Sequence, residues 1–202
     1  LGPAEIESLE SAAERLAGLA REATEGPRLC VVLTLASGEE ERVALGTGAT
    51  AIPEGMFKGR DDIAAAAVPE GVKVIEKKAF RGCAALASVS LPGTLEEIRG
   101  GGWREGVFYG CTSLASITLP AGVTTIGGNA FYDCASLASV TIPARVTEIR
   151  ACAFSGCRSL ISVSVPAGVT TIKHGTFQRC DWLVTAVLPQ SCAVIQERAF
   201  ED

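Results

Sequence analysis

The chain predicts a mainly β solenoid, in which short parallel strands stack coil on coil and tight turns join them. Three observations carry this prediction. All seven phenylalanines fall in series, at Phe57, Phe80, Phe108, Phe131, Phe154, Phe177 and Phe200, with steps of 23, 28, 23, 23, 23 and 23 residues. A proline follows twelve residues later at Pro69, Pro92, Pro120, Pro143, Pro166 and Pro189. Apolar residues recur around each proline: six before it at Ile63, Leu86, Leu114, Leu137, Leu160 and Leu183, and six after it at Ile75, Ile98, Ile126, Ile149, Ile172 and Ile195. A fixed period of this length marks stacked repeats, each of which buries its apolar face only against its neighbours.

The first element is an amphipathic helix over residues 3–24. Ile6, Leu9, Ala13, Leu16, Leu19 and Ala20 recur at three-to-four spacing, and Gly26-Pro27 ends it. Its acids (Glu5, Glu7, Glu10, Glu14) set it apart from an Arg-rich targeting peptide. Two strands follow, Leu29–Leu35 and Arg42–Leu45, around the turn Ser37-Gly-Glu-Glu40. Residues 1–46 are therefore expected to be a helix-plus-hairpin cap, because solenoid ends need covering. Residues 47–202 are expected to hold about seven repeats, the last one incomplete.

Within a repeat the coil is readable. Ser139-Val-Thr-Ile142 alternates polar and apolar, the period of a half-buried strand. Pro143 stops it by removing a ladder donor. Val146-Thr-Glu-Ile149 is a second apolar run, and Ala153-Phe154-Ser-Gly-Cys157 is expected to be a tight helical or 3₁₀ turn that drops Phe and Cys inward. The cysteine three after Phe recurs at Cys83, Cys111, Cys134, Cys157 and Cys180, with Arg60 in its place in the first repeat. Five of the eight cysteines thus share one core position. That favours buried free thiols over a disulfide framework.

The strand Leu160-Ile-Ser-Val163-Ser-Val165 fits the L-x-x-L-x-L opening of leucine-rich repeats. The proline after the strand, the Ala-Phe-x-x-Cys turn and the 23-residue length resemble the BspA-type leucine-rich repeat family, over roughly residues 47–202. The usual Asn is absent; Gly168 and its equivalents occupy that region. The resemblance implies a leucine-rich-repeat solenoid used for protein binding, often in surface or adhesive proteins, with no catalytic residues to carry over.

Candidate contact sites lie where the pattern breaks or faces outward. The five-residue insertion falls in Arg99-Gly-Gly-Gly-Trp103-Arg-Glu-Gly106, and insertions in solenoids map to loops on one face. Trp103 and Arg104 are residue types that anchor interfaces; the alternative is a tryptophan folded back on its own coil. The outward strand positions form a hydroxyl ladder that includes Ser116, Thr118, Ser139, Thr141, Ser162 and Ser164. It is a candidate face for a protein or a glycan, and otherwise ordinary solvated β surface. Its mixture of Ser and Thr argues against an ice-binding array. The chain stops at Asp202, so Ile195 and Phe200 are expected to form an end-interface, covered by further chain or by a partner.

Chemistry is sparse. The only histidine, His174, and Cys152 sit at neighbouring turn positions of adjacent repeats, with no orienting third group. No P-loop and no C-x-x-C pair occurs. A net charge of −5 argues against nucleic acid, and no run of apolar residues is long enough to span a membrane as a helix. The start Leu1-Gly-Pro is read as a processed chain, organellar or secreted rather than cytoplasmic. No enzyme, cofactor or metal is expected. The expected function is a protein-interaction or structural module, an accessory subunit of a larger assembly or else a fragment of a cell-surface adhesin or receptor.

Overall fold

The computed structural model describes residues 29–202. The expected helix over 3–24 lies outside the described residues. Among the described residues there are fifteen strands, numbered in chain order. β1 (Cys30–Leu35) and β2 (Glu40–Ala44) are the hairpin. Each coil then supplies a short strand and a longer one. The short series is β3 (Ala51–Ile52), β5 (Val74–Ile75), β7 (Glu97–Ile98), β9 (Thr125–Ile126), β11 (Glu148–Ile149), β13 (Thr171–Ile172) and β15 (Val194–Ile195). The longer series is β4 (Ile63–Ala67), β6 (Ser88–Ser90), β8 (Ser116–Thr118), β10 (Ser139–Thr141), β12 (Ser162–Ser164) and β14 (Thr185–Val187).

Both series pair in parallel from coil to coil. The longer strands form β8-β10-β12-β14, and the short strands form β3-β5-β7-β9-β11 with β13-β15 beyond. The hairpin joins the longer series in the order β2-β1-β4-β6, with β1 antiparallel to β4 (Val32 opposite Ala67, Leu35 opposite Ile63). The first coil therefore has no bare edge on that side. Arg60 fastens the same junction: its Nη2 lies 2.7 Å from Glu41 in β2 and 2.7 Å from Asp62.

The interior follows the period. Phe57, Phe80, Phe108, Phe131, Phe154 and Phe177 are buried, and their rings stack with Phe200 in one unbroken column, centroids 5.0 to 5.6 Å apart. Leu86, Leu114, Leu137 and Leu160 fill the next position, with Ile75, Ile98, Ile126, Ile149 and Ile172 beneath the short strands. The cysteine column is buried and free of disulfides. Each thiol donates to the carbonyl of the phenylalanine one coil back: Cys83 to Phe57, Cys111 to Phe80, Cys134 to Phe108, Cys157 to Phe131 and Cys180 to Phe154, at 3.1 to 3.3 Å. Burial pushes these thiols up, to about 11 at Cys83 and about 12 at Cys180. Arg60 stands where no earlier phenylalanine carbonyl exists to receive a thiol, and it turns to the hairpin instead.

The phenylalanine segment is a run of turns, not a helix. Cys152 and Gly156, two before and two after Phe154, both have left-handed backbone (φ 57° and 75°). The same pair of positions is left-handed around Phe57, Phe80, Phe131 and Phe177. These residues break any helical run, and their N–H groups bond the next coil. Cys152 donates to His174 at 3.0 Å, Phe154 to Thr176 at 2.9 Å, and Gly156 to Gln178 at 2.8 Å.

Candidate functional site

The insertion begins after β7 and rejoins the pattern at Phe108. It leaves the interior intact: β7 still pairs with β9, and Phe108 still donates to Ala130 at 2.8 Å. Two of its glycines allow a close approach to the next coil. A Cβ on Gly100 would overlap the backbone of Gly128, and one on Gly106 would overlap the carbonyl of Asn129, whereas Gly102 faces open space. The Asn129 amide holds the loop from the next coil by donating to the carbonyls of Gly101 and Gly102, both at 3.1 Å. Glu105 reaches the previous coil, 2.8 Å from Lys78 and 3.3 Å from Lys77. Those two ammonium groups pull its carboxyl down to about 2.

Trp103 rides at the tip and is 66% exposed. Its ring stands edge-on to Tyr132 (5.4 Å) and Tyr109 (6.3 Å). Those tyrosines stack on each other at 4.8 Å, each one residue after a core phenylalanine on adjacent coils. The Arg81 guanidinium lies over the Tyr109 ring, 5.7 Å from its centroid, and Arg104 lies 5.9 Å from the Trp103 centroid. Both tyrosines of the chain and one of its two tryptophans thus meet at one place. The sequence reading singled out Trp103 and Arg104 but missed Tyr109, Tyr132 and Arg81. The signal was present: Arg81, Tyr109 and Tyr132 occupy the same repeat position on successive coils.

The hydroxyl ladder is a separate surface. Ser116, Thr118, Ser139, Thr141, Ser162 and Ser164 are exposed on β8, β10 and β12, and Ile117, Val140 and Val163 between them point inward. The parallel ladder is broken between β6 and β8, across the coil that carries the insertion. A shallow groove lined by Ser88, Ser90, Ser116 and Thr118 runs along the break.

The last coil is the most open. Ile195 is 56% exposed and Phe200 36%, beside exposed Trp182, Val184, Val187 and Val194. The Cys152 thiol lies 3.8 Å from the backbone carbonyl of His174, and burial pushes it up, away from the thiolate a nucleophile needs. Among the described residues no group of three or more His, Cys, Asp or Glu converges as a metal site. Among them, too, no helix is long and apolar enough to cross a membrane.

Comparison with known proteins places this architecture. The pattern of the BspA type Leucine rich repeat region matches in six copies, over residues 41–102 and 104–202. No curated protein matches significantly. Among solved structures, the leucine-rich repeat protein of T. pallidum is 36% identical with a TM-score of 0.66, over 70% of this chain and 64% of that one. One from Bacteroides ovatus is 30% identical with a TM-score of 0.69, over 84% of this chain and 41% of that one. A leucine rich cell surface protein of Faecalibacterium prausnitzii is 28% identical with a TM-score of 0.57, over 80% and 38%. The chain therefore spans 64% or less of the length of each of these proteins.

Proposed function

This chain belongs to the BspA-type leucine-rich repeat family, and on that premise we propose that it is a non-catalytic, protein-binding accessory subunit of a larger assembly. The family makes it a protein-interaction or structural repeat module. The observation that carries the finer reading is the aromatic cluster at Trp103. A rigid, thiol-laddered coil holds a Trp, two Tyr and two Arg at its surface, and these three residue types dominate interface energetics. The exposed Ser/Thr face of β8, β10 and β12 offers a second, flatter contact area, on which a partner's backbone or a glycan would lie close. Ile195 and Phe200 at the open last coil are a third.

Native purification tests the subunit reading. The chain should migrate well above its 20.9 kDa with a constant companion. Trp103→Ala should weaken that association while the melting temperature stays within a few degrees, because the side chain is mostly exposed. A lone monomer from its native source would overturn the reading.

A second reading has one specific support: the similarity to the F. prausnitzii cell surface protein. In that case the chain works as part of a surface adhesin. Accessibility to an impermeant biotin reagent on intact cells separates the two, since only the surface protein would be labelled.

A further inference from the structure

The two edges of the coil treat charge differently. Beside the short strands, cations have carboxylate partners: Lys73 with Glu96, Lys77 and Lys78 with Glu105, Arg99 with Glu76, and Arg150 and Lys173 with Glu148. On the phenylalanine turns Arg60, Lys78 and Arg198 are also paired, but the cations nearest the tyrosines are not. Lys58, Arg81, Arg104, Arg158 and Arg179 form no ion pair among the described residues. They flank the tyrosine stack. Lys58 and Arg81 line one groove with Tyr109, and the charges of Arg158 and Arg179 both bear on Asp133, next to Tyr132. The carboxylates on this face are Asp133 and Glu201, and Glu201 is held by Gln178 and Arg198 as nearby Glu105 is by Lys77 and Lys78. In a chain of net charge −5, this is a cationic patch set against the overall sign.

The ring geometry narrows the ligand. Sugars and bases are recognised by stacking on free aromatic faces. Tyr109 is stacked by Tyr132 at 4.8 Å and has the Arg81 guanidinium 5.7 Å from its centroid, so Trp103 is the open ring of the cluster, with the Arg104 guanidinium beside it. What the cluster presents is two guanidinium groups over aromatic rings, Arg81 at Tyr109 and Arg104 at Trp103, and a guanidinium is the side chain best shaped to pair with a carboxylate. The small residues Gly59, Gly82 and Gly110, one after Lys58, Arg81 and Tyr109, leave a trough beside the rings in which a backbone can lie.

We infer that this turn face docks an extended, acidic polypeptide segment, its carboxylates meeting Lys58, Arg81 and Arg104 and its aliphatic stems packing on Trp103. The inference rests on the protein-binding reading above and specifies the chemistry of the partner.

Fluorescence polarisation with a fluorescein-labelled poly-glutamate decapeptide tests it, with poly-lysine, an oligothymidylate and an oligogalacturonate as comparison probes. The intact chain should bind the poly-glutamate peptide and not the poly-lysine one, with affinity falling as salt rises. The double variant Arg81→Glu/Arg104→Glu should lose about tenfold or more. Arg145→Glu, an exposed cation away from the patch, should be unchanged. A thermal melt of each variant confirms folding. Unchanged affinity in the double variant overturns the site, and stronger binding of the oligonucleotide or the oligogalacturonate overturns the polypeptide assignment. If Trp103→Ala breaks the native association while the chain ignores poly-glutamate, the protein-binding reading stands and the acidic-segment inference falls.

Discussion

The turn that delivers Phe154 and the turn that delivers Phe108 reach the same end by different backbones. In the first, left-handed Cys152 stands two before the ring, and its N–H bonds the next coil. In the second, five extra residues intervene, the left-handed residue is Arg104, and Gly106 takes the place of Cys152 with ordinary backbone. Both rings nevertheless stack at 5.2 to 5.6 Å with their neighbours, and both carbonyls receive a thiol from the next coil. The interior is dictated by its neighbours one coil away, so it tolerates no local invention. The outside of the turn has no such partner, and there Trp103, Tyr109 and Tyr132 gather. The difference teaches where this architecture stores identity: in the outer turns, over a core that all coils share.

The largest effect should come from attacking the shared interior. Phe154→Ala removes a fully buried ring from the middle of the stack and should cost about 3–5 kcal/mol in urea denaturation. A loss below about 1 kcal/mol would mean that the coils are not mutually dependent.

The insertion gives the next test, since its glycines differ in role. Gly106→Ala drives a methyl into the Asn129 carbonyl and should cost about 2–3 kcal/mol. Gly102→Ala meets nothing and should stay within about 0.5 kcal/mol. Equal effects would show that the loop is not pinned to the next coil.

These contrasts mark what the residues disclosed in advance. Phe, Leu and Ile positions were legible because a coil that cannot bury its own face must repeat them, and strand alternation exposed the Ser/Thr ladder. The parallel sheet of short strands was not legible, because two residues such as Glu148-Ile149 are too few to show alternation. Nor were the left-handed turns. Asn129 and Asp133 are types that tolerate this conformation, but Cys152 and Arg179 carry no such signature. The expected tight turn is there, closed by i to i+3 bonds such as Cys157 N–H to the Phe154 carbonyl at 3.2 Å, and these residues keep it from running on as a helix. Of the candidate site, Trp103 stood out as an insertion. The tyrosines hid because each reads as an ordinary neighbour of a core Phe until the coils are stacked.

The thiol column predicts a pH dependence. Its folded pKa values lie above those of the unfolded chain, about 8.5, so the folded state holds the protons longer. Stability should be level below about pH 8.5 and fall as pH rises through the values near 11 and 12 at Cys83 and Cys180. Alkylation should agree: at pH 8 the five column cysteines resist iodoacetamide until denaturant is added. Ready labelling of Cys134 or Cys157 in the folded chain would contradict the buried ladder.

The smallest effect is expected where the interior rule ends. Arg60 replaces the column cysteine in the first coil, and its partners Glu41 and Asp62 are partly exposed, so solvent screens the pairing. Arg60→Ala should cost about 1 kcal/mol or less, and the difference should shrink in high salt. Cys157→Ala, by contrast, empties a buried position and leaves the Phe131 carbonyl without its thiol, so its cost should not depend on salt. One repeat position would then behave as core in one coil and as surface in another. Equal salt sensitivity of the two variants would remove that distinction, and with it the account of why a cation occupies the first coil alone.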